Sequence, residues 1–394
     1  VLMGAGVPHL PILRQGRAYR SKDTYTLTDI RDGSPVAEVS LANRGLIAFD
    51  LARKADHRRR LQQVPVSELF EIGKRAAKLF LDGDVVLDPV DGVRQTADDY
   101  VRQLSATTGM PHALARANMT KIAFVLEHME EVIGGLTRGL DLAVLDQGWI
   151  RQEGRFVSYQ RQADVLGAVL PSNSPGVHSL WIPSFGIKTP VALKPGRQEP
   201  WSPIRIANAL FEAGLPPEAI GLYPSGHDAA GEILLRSDRS MLFGDERTVG
   251  SWANDPRIEL HGPGWSKVVF GEDVASRWEP FVDLMVASVA ENGGRSCINA
   301  SGIWTPAHGD EIADALARRL AAIDARPLDD PEARLAAFSD PRVAHSIDAY
   351  VESQLQVPGA EDVTARYREG GRVVEVGGCT FLRPTVVRCS DPEH

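Results

Sequence analysis

Residues 165–226 read VLGAVLPSNSPGVHSLWIPSFGIKTPVALKPGRQEPWSPIRIANALFEAGLPPEAIGLYPSG, and MLFGD follows at 241–245. Short apolar runs end in turn residues and alternate with helix-like text. That alternation marks βαβ units and a parallel sheet, so the chain is expected to be α/β. The helix after KPG is bounded on both sides: Ser202 suits its cap, Pro203 its first turn and Gly214 its end before Leu215-Pro216. Its entrance adjoins loop 194–200, and open parallel sheets bind ligands at the carboxyl ends of their strands.

Working outward, DTYTLTDIRDGSPVAEVSLAN at 23–43 alternates apolar and polar residues around Asp32-Gly33 and predicts a β-hairpin. VSELFEIGKRAAKLFL, TADDYVRQLSATTG and KIAFVLEHMEEVIGGL predict a helical layer within 64–140. WIRQEGRFVSYQRQ reads as two strands joined at Glu153-Gly154, a ribbon with too few apolar residues for a core of its own. SRWEPFVDLMVASVAEN predicts a helix with Phe281, Leu284, Met285 and Ser288 on one face, stopping at Gly293-Gly294. Further helices follow at GDEIADALARRLAAI and DPRVAHSIDAYVESQL.

At 394 residues the chain suits two large lobes better than one core. Hydrophobic residues at 43% and charged ones at 24% describe a folded protein. With 52 acidic against 43 basic side chains the formal charge is −9, which repels phosphate backbones and anionic membranes; nucleic acid and membrane are not expected partners. No apolar run reaches the roughly 18–20 residues a bilayer span needs, and the opening VLMGAGVPHLPILRQGR lacks a signal layout, so a cytoplasmic location is expected. Three cysteines at 297, 379 and 389 form neither a disulfide framework nor a zinc set, and no metal is expected. The start at Val and the close after TFLRPTVVRC suggest a partial record.

Cys297 follows Gly293-Gly294-Arg295-Ser296, a small-residue loop that exposes a thiol and brings one cation near it. Most isolated cysteines are inert core residues; on these residues alone that is the stronger reading for Cys297 as well, and it is clearly preferred for Cys379 and Cys389, which lie in strand-like text. A nucleophile needs an oxyanion donor and, for hydrolysis, a base. Asn173 in LPSNSPG and Glu259 in RIELHGPG stand near strand ends; a local turn and a solvated edge carboxylate are their ordinary uses. Lys194 in VALKPG precedes a helix entrance and reads either as a ligand contact or as a surface lysine. There is no GxGxxG or Walker text.

Taken in order, these segments resemble the aldehyde dehydrogenase superfamily from about Thr26 to the chain end. VLPSNSPG is similar to the family's oxyanion segment (Asn173), VALKPGRQEPWSP to its cofactor segment (Lys194), IELHGPG to the segment of its general base (Glu259) and GGRSCINAS to its nucleophile segment (Cys297). The resemblance implies two Rossmann-like three-layer α/β/α lobes with a β-ribbon for oligomerisation. Residues 1–141 with 164–257 would form the nucleotide-binding domain, 142–163 the ribbon and 258–394 the catalytic domain. It further implies a homodimer or homotetramer, an aldehyde substrate, NAD or NADP, and cofactor contacts from Ser172, Lys194, Pro195, Arg197, Gly244 and Asp245. The implied chemistry oxidises an aldehyde to its acid through a Cys297 thiohemiacetal and thioester, with Glu259 activating the hydrolytic water.

The departures from the family text carry their own expectations. MLFGDERTVGSW puts Asp245 and Glu246 where a Gly-Ser pair usually lies near the cofactor phosphates, which sets carboxylates against a pyrophosphate. Arg197 stands where many NAD-using members have a ribose-binding Glu, and a guanidinium matches the 2′-phosphate of NADP; a solvated arginine is the other reading. HGPGWSK lacks the usual double-Gly-Lys text and resembles long-chain acyl-CoA reductases, as do SNSPG and FGD. A CoA-acylating enzyme or acyl-CoA reductase is therefore the alternative, with CoA as a partner only in that case, and a non-catalytic subunit retaining the fold is a third. The family's later cofactor Glu segment and closing strand are expected beyond His394.

Overall fold

The computed structural model describes residues 7–391. The described residues divide into two compact units: 7–28, 34–103 and 117–262 form the first, and 29–33, 104–116 and 263–391 the second.

The apolar runs of the opening stretch become the parallel sheet of the first unit. Five parallel strands lie in the order Ile258–His261, Arg239–Phe243, Leu166–Val169, Val191–Lys194, Ile220–Leu222. Val191, Ala192 and Leu193 are all buried, as are Ile220 and Leu222, which explains why these strands read as continuous apolar text rather than as alternation. Each such Val, Leu or Ile side chain contributes about 1.5–3 kcal/mol when fully buried. The winding reverses between Leu166–Val169 and Arg239–Phe243, the topological switch at which open α/β sheets take their ligands.

His227–Arg236 packs on three of these strands and on Arg44–Leu51, sharing a core of Ile47, Leu51, Val165, Ala192 and Ile233. Trp201–Glu212 packs on Ile220–Leu222 and is backed by Val66–Asp82, whose apolar stripe runs from Leu69 to Phe80. That helix begins before the Ser202 and Pro203 boundary, because its cap comes from elsewhere: the Glu199 carboxylate accepts from the Ser202 backbone N–H at 2.8 Å. It ends at Gly214, which takes φ +110°, as expected.

Two antiparallel strands, Ile12–Arg14 and Arg17–Tyr19, extend the sheet edge beyond Ile220–Leu222. Their turn holds Gln15 and Gly16 at φ 54° and 74°, and a Cβ on Gly16 would overlap Pro217. The 23–43 hairpin forms as Thr24–Thr28 against Pro35–Ser40, with His9–Leu10 added in parallel. Trp149–Gln152 and Arg155–Ser158 form the expected ribbon around Glu153 and Gly154, both at positive φ as a tight two-residue hairpin turn requires.

In the second unit, Val282–Ala290 and Gly309–Ala321 pack together through Met285, Ile312 and Leu316. The first of these helices stops before Gly293-Gly294, since Asn292 and Gly293 turn left-handed, and Leu284 faces solvent rather than the core. The strands occur in pairs: Lys267–Val269 with Gly302–Trp304 in parallel, and Ala360–Asp362 with Val387–Cys389 and Val373–Val376 with Cys379–Leu382 antiparallel. Ile258–His261 pairs along Arg239–Phe243 and stays with the first sheet, and the compact units divide at 262/263. Among the described residues no helix is long and apolar enough to cross a membrane.

Candidate active site

Lys194 is the last residue of its strand, and the turn after it folds back on the neighbouring strand end. The Gln198 N–H donates to the Ser172 hydroxyl at 3.2 Å, and a Cβ on Gly196 would come 2.5 Å from the Pro171 carbonyl oxygen. Glycine is thus required there, and Ser172 and Lys194 are brought to adjacent strand ends. Lys194, Pro195 and Arg197 line a small pocket with Tyr25, Ser225 and His227. Burial, and then the nearby Arg197 charge, lowers the Lys194 pKa. The Arg197 guanidinium lies over the Tyr25 ring at 4.4 Å, and the Tyr25 hydroxyl donates to the Arg197 carbonyl at 3.0 Å.

A buried polar chain sets the helix entrance behind this pocket. The Trp181 indole N–H donates to His178 Nδ1 at 2.9 Å, which leaves that nitrogen unprotonated and makes Nε2 the donor to Glu199 at 2.9 Å. Glu199 also takes the Ser202 N–H, and the Ser202 hydroxyl pairs with the Tyr100 hydroxyl at 2.6 Å. All five side chains are almost fully buried, so each polar group depends on its neighbour. Sequence reasoning missed this chain because its members are separated by up to 102 residues.

Across the topological switch, Gly244 and Asp245 follow Arg239–Phe243. A Cβ on Gly244 would press on Thr248, and the Asp245 carboxylate caps the short helix Glu246–Gly250 by accepting from the Thr248 N–H at 2.8 Å. The Thr248 side-chain and backbone bonds hold the Asp245 pKa below its ordinary value. Asp245 thus has a local structural use that its sequence context did not reveal. Asn173 sits half-buried in the bend after Leu166–Val169, directly before the short helix Pro175–Leu180.

Glu259 is the second residue of Ile258–His261 rather than its end, and its side chain is exposed. Its Oε1 lies 3.1 Å from His261 Nε2.

Cys297 belongs to the second unit and its thiol is exposed, whereas Cys379 is buried, its pKa pushed up to about 11 by desolvation. The loop before Cys297 is a built structure. Asn292, Gly293 and Gly294 take φ of 56°, 70° and 73° in succession. Asn299 accepts from the Ser296 N–H at 2.8 Å and donates to the Ser288 and Glu291 carbonyls, while Asn292 donates to the Ser296 hydroxyl at 3.0 Å. From the other side, Gly264 approaches so closely that a Cβ on it would overlap the Cys297 carbonyl oxygen and lie 2.7 Å from its carbon. Arg295, expected to attend the thiol, donates to the Thr108 carbonyl, and desolvation lowers its pKa to about 10. Asn173, Lys194, Arg197, Gly244, Asp245 and Glu259 all lie on the first unit.

Residues 83–394 match the family model described as the aldehyde dehydrogenase family. Aldehyde dehydrogenase 1A1 of Equus caballus is 34% identical over 183 residues, covering 43% of this chain and 36% of that protein. Aminoacetaldehyde dehydrogenase of Pseudomonas aeruginosa is 28% identical over 243 residues, covering 57% and 45% respectively. The crystal structure of succinate-semialdehyde dehydrogenase from Burkholderia pseudomallei superposes with a TM-score of 0.76 at 17% identity, covering 98% of this chain and 77% of that one. The matches thus span between about a third and just under half of the length of these curated relatives.

Proposed function

Since the chain belongs to the aldehyde dehydrogenase family, we propose that it oxidises an aldehyde to the carboxylic acid with a nicotinamide nucleotide as oxidant. The observation that carries the reading is Cys297: an exposed thiol on a loop fixed by Asn292, Asn299 and the close approach of Gly264. Such fixing suits a nucleophile, whose attack geometry must be held before substrate arrives.

The Cys297 sulfur adds to the aldehyde carbon, and the amide of Asn173 with the Cys297 backbone N–H stabilises the oxyanion. A bound nicotinamide nucleotide supplies the two-electron oxidation that leaves a thioester on Cys297. Glu259 then takes a proton from water, the C–O bond forms, the C–S bond breaks and the thiolate is restored.

Support for the nucleotide comes from the strand ends of the first unit. Lys194 and Arg197 supply two cations beside Ser172 and Pro195, and the narrow Gly196 turn admits no side chain, so these residues fit a phosphorylated ribose. Gly244 would let backbone approach the phosphates, whereas Asp245 already serves its helix cap. Arg197 favours NADP over NAD. The exposed Trp149, Phe156 and Tyr159 support a homodimer or homotetramer joined through the ribbon, and sparse unpaired cysteines a cytoplasmic setting.

The HGPG turn and the FGD segment favour a second reading, transfer of the acyl group to CoA instead of water. Product analysis decides between them. The full chain, given a panel of aldehydes with NAD and NADP, is expected to form reduced nucleotide and free acid without CoA, and Glu259→Gln is expected to stop acid release. Turnover only with CoA, indifferent to Glu259→Gln, establishes the second reading; no reduced nucleotide under any condition refutes both.

A further inference from the structure

Glu259 has a titratable neighbour on its own strand. Glu259 and His261 are two residues apart in Ile258–His261, so their side chains leave the same face. The strand register sets His261 opposite Phe243, and the imidazole lies flat on that ring with centroids 4.2 Å apart and planes at 9°. Stacking fixes the ring, and Nε2 faces the Glu259 carboxylate at 3.1 Å. The nitrogen is buried and makes no hydrogen bond in this arrangement, since carboxylate and ring are close but not aligned. Leaving it unsatisfied is costly. Glu259 is 65% exposed and His261 25%, so the outer carboxylate is free to rotate onto a ring nitrogen held still behind it.

We propose that His261 is the positioning and proton-accepting partner of Glu259. This rests on the reading in which Glu259 activates the hydrolytic water. Water gives its proton to the Glu259 carboxylate as its oxygen bonds to the thioester carbon and the Cys297 sulfur departs as thiolate. The carboxyl group passes that proton to His261 Nε2, and the resulting imidazolium gives up a proton to solvent through the exposed part of the ring. Imidazole suits the task because one ring nitrogen can accept a proton while the other gives one up. Glu259 is thereby returned to its basic form for the next turnover.

The test isolates deacylation and needs no nucleotide. The full chain is acetylated with p-nitrophenyl acetate, the ester is removed, and loss of the acetyl mass is followed by intact-protein mass spectrometry. Acetylation of wild type but not of Cys297→Ala is the outcome the functional reading requires; a wild type that takes no acetyl group on Cys297 overturns that reading and this proposal with it. Given acetylation, His261→Ala is expected to take up the acetyl group as fast as wild type and to lose it at least ~10-fold more slowly, within the usual range for loss of a proton-transfer group. Added imidazole is expected to restore most of the rate. His261→Gln keeps a polar side chain beside Glu259 but takes up no proton, and is expected to be as slow as His261→Ala. Deacetylation within twofold of wild type in either variant, no rescue by imidazole, or slower acetylation in both variants overturns the proposal while leaving the functional reading standing.

Discussion

The Arg197 guanidinium lies over the Tyr25 ring, and under the proposed reading its N–H edge would meet the nucleotide. A charge-assisted bond from such an edge to a 2′-phosphate is worth about 1.5–3 kcal/mol, or about 10- to 100-fold in affinity. Arg197→Glu is accordingly expected to raise the KM for NADP at least ~10-fold while leaving or lowering that for NAD, because a carboxylate repels the phosphate but bonds a ribose hydroxyl. An unchanged ratio of kcat/KM between the two nucleotides makes Arg197 a solvated surface residue. Lys194 and Arg197 stand three residues apart in one segment, so their meeting in one pocket was legible in the sequence. Tyr25 was not, because it meets Arg197 across 172 residues and nothing in a hairpin strand announces that partner. Asp245 was read as a charge facing phosphates, whereas its immediate use is a helix cap; an Asp before a short helix carries both meanings in sequence.

The loop from Glu291 to Ala300 shows how an element stores a geometry. Its left-handed run is set by Asn292 and two glycines, its interior by Asn299, and its outer limit by Gly264. A methyl group at Gly264 cannot fit without moving the Cys297 backbone. Gly264→Ala is therefore expected to slow thiol acylation by about 10²-fold, the usual cost of a misplacement near 1 Å, with circular dichroism unchanged. Wild-type acylation in that variant shows that the loop tolerates the shift and that its position does not govern the thiol. The sequence presented Gly-Gly as a helix stop; the structure uses it as a turn built beyond a helix already ended. The start of Trp201–Glu212 was misplaced for a related reason. Local signals pointed to Ser202, but a buried Glu199 held by His178 supplies the cap, and tertiary partners outweigh a local preference.

For the whole molecule, the parallel sheet was the most legible feature, because strands buried on both faces leave unbroken apolar runs. The antiparallel edge from Ile12 to Tyr19 was not, since three-residue strands carry too little pattern to count. Nothing in the text around Glu259 announces that its strand pairs with Arg239–Phe243, since strand partners are set by the sheet and not by local sequence. Residues assigned to the proposed chemistry come from both units, so the decisive measurement uses the full chain. Glu259→Gln, mixed with aldehyde and nucleotide, is digested and its peptides weighed. One equivalent of reduced nucleotide and an acyl group on the peptide containing Cys297 are expected; continued production of reduced nucleotide by Cys297→Ala, or an acyl group on any other residue, overturns Cys297 as the nucleophile.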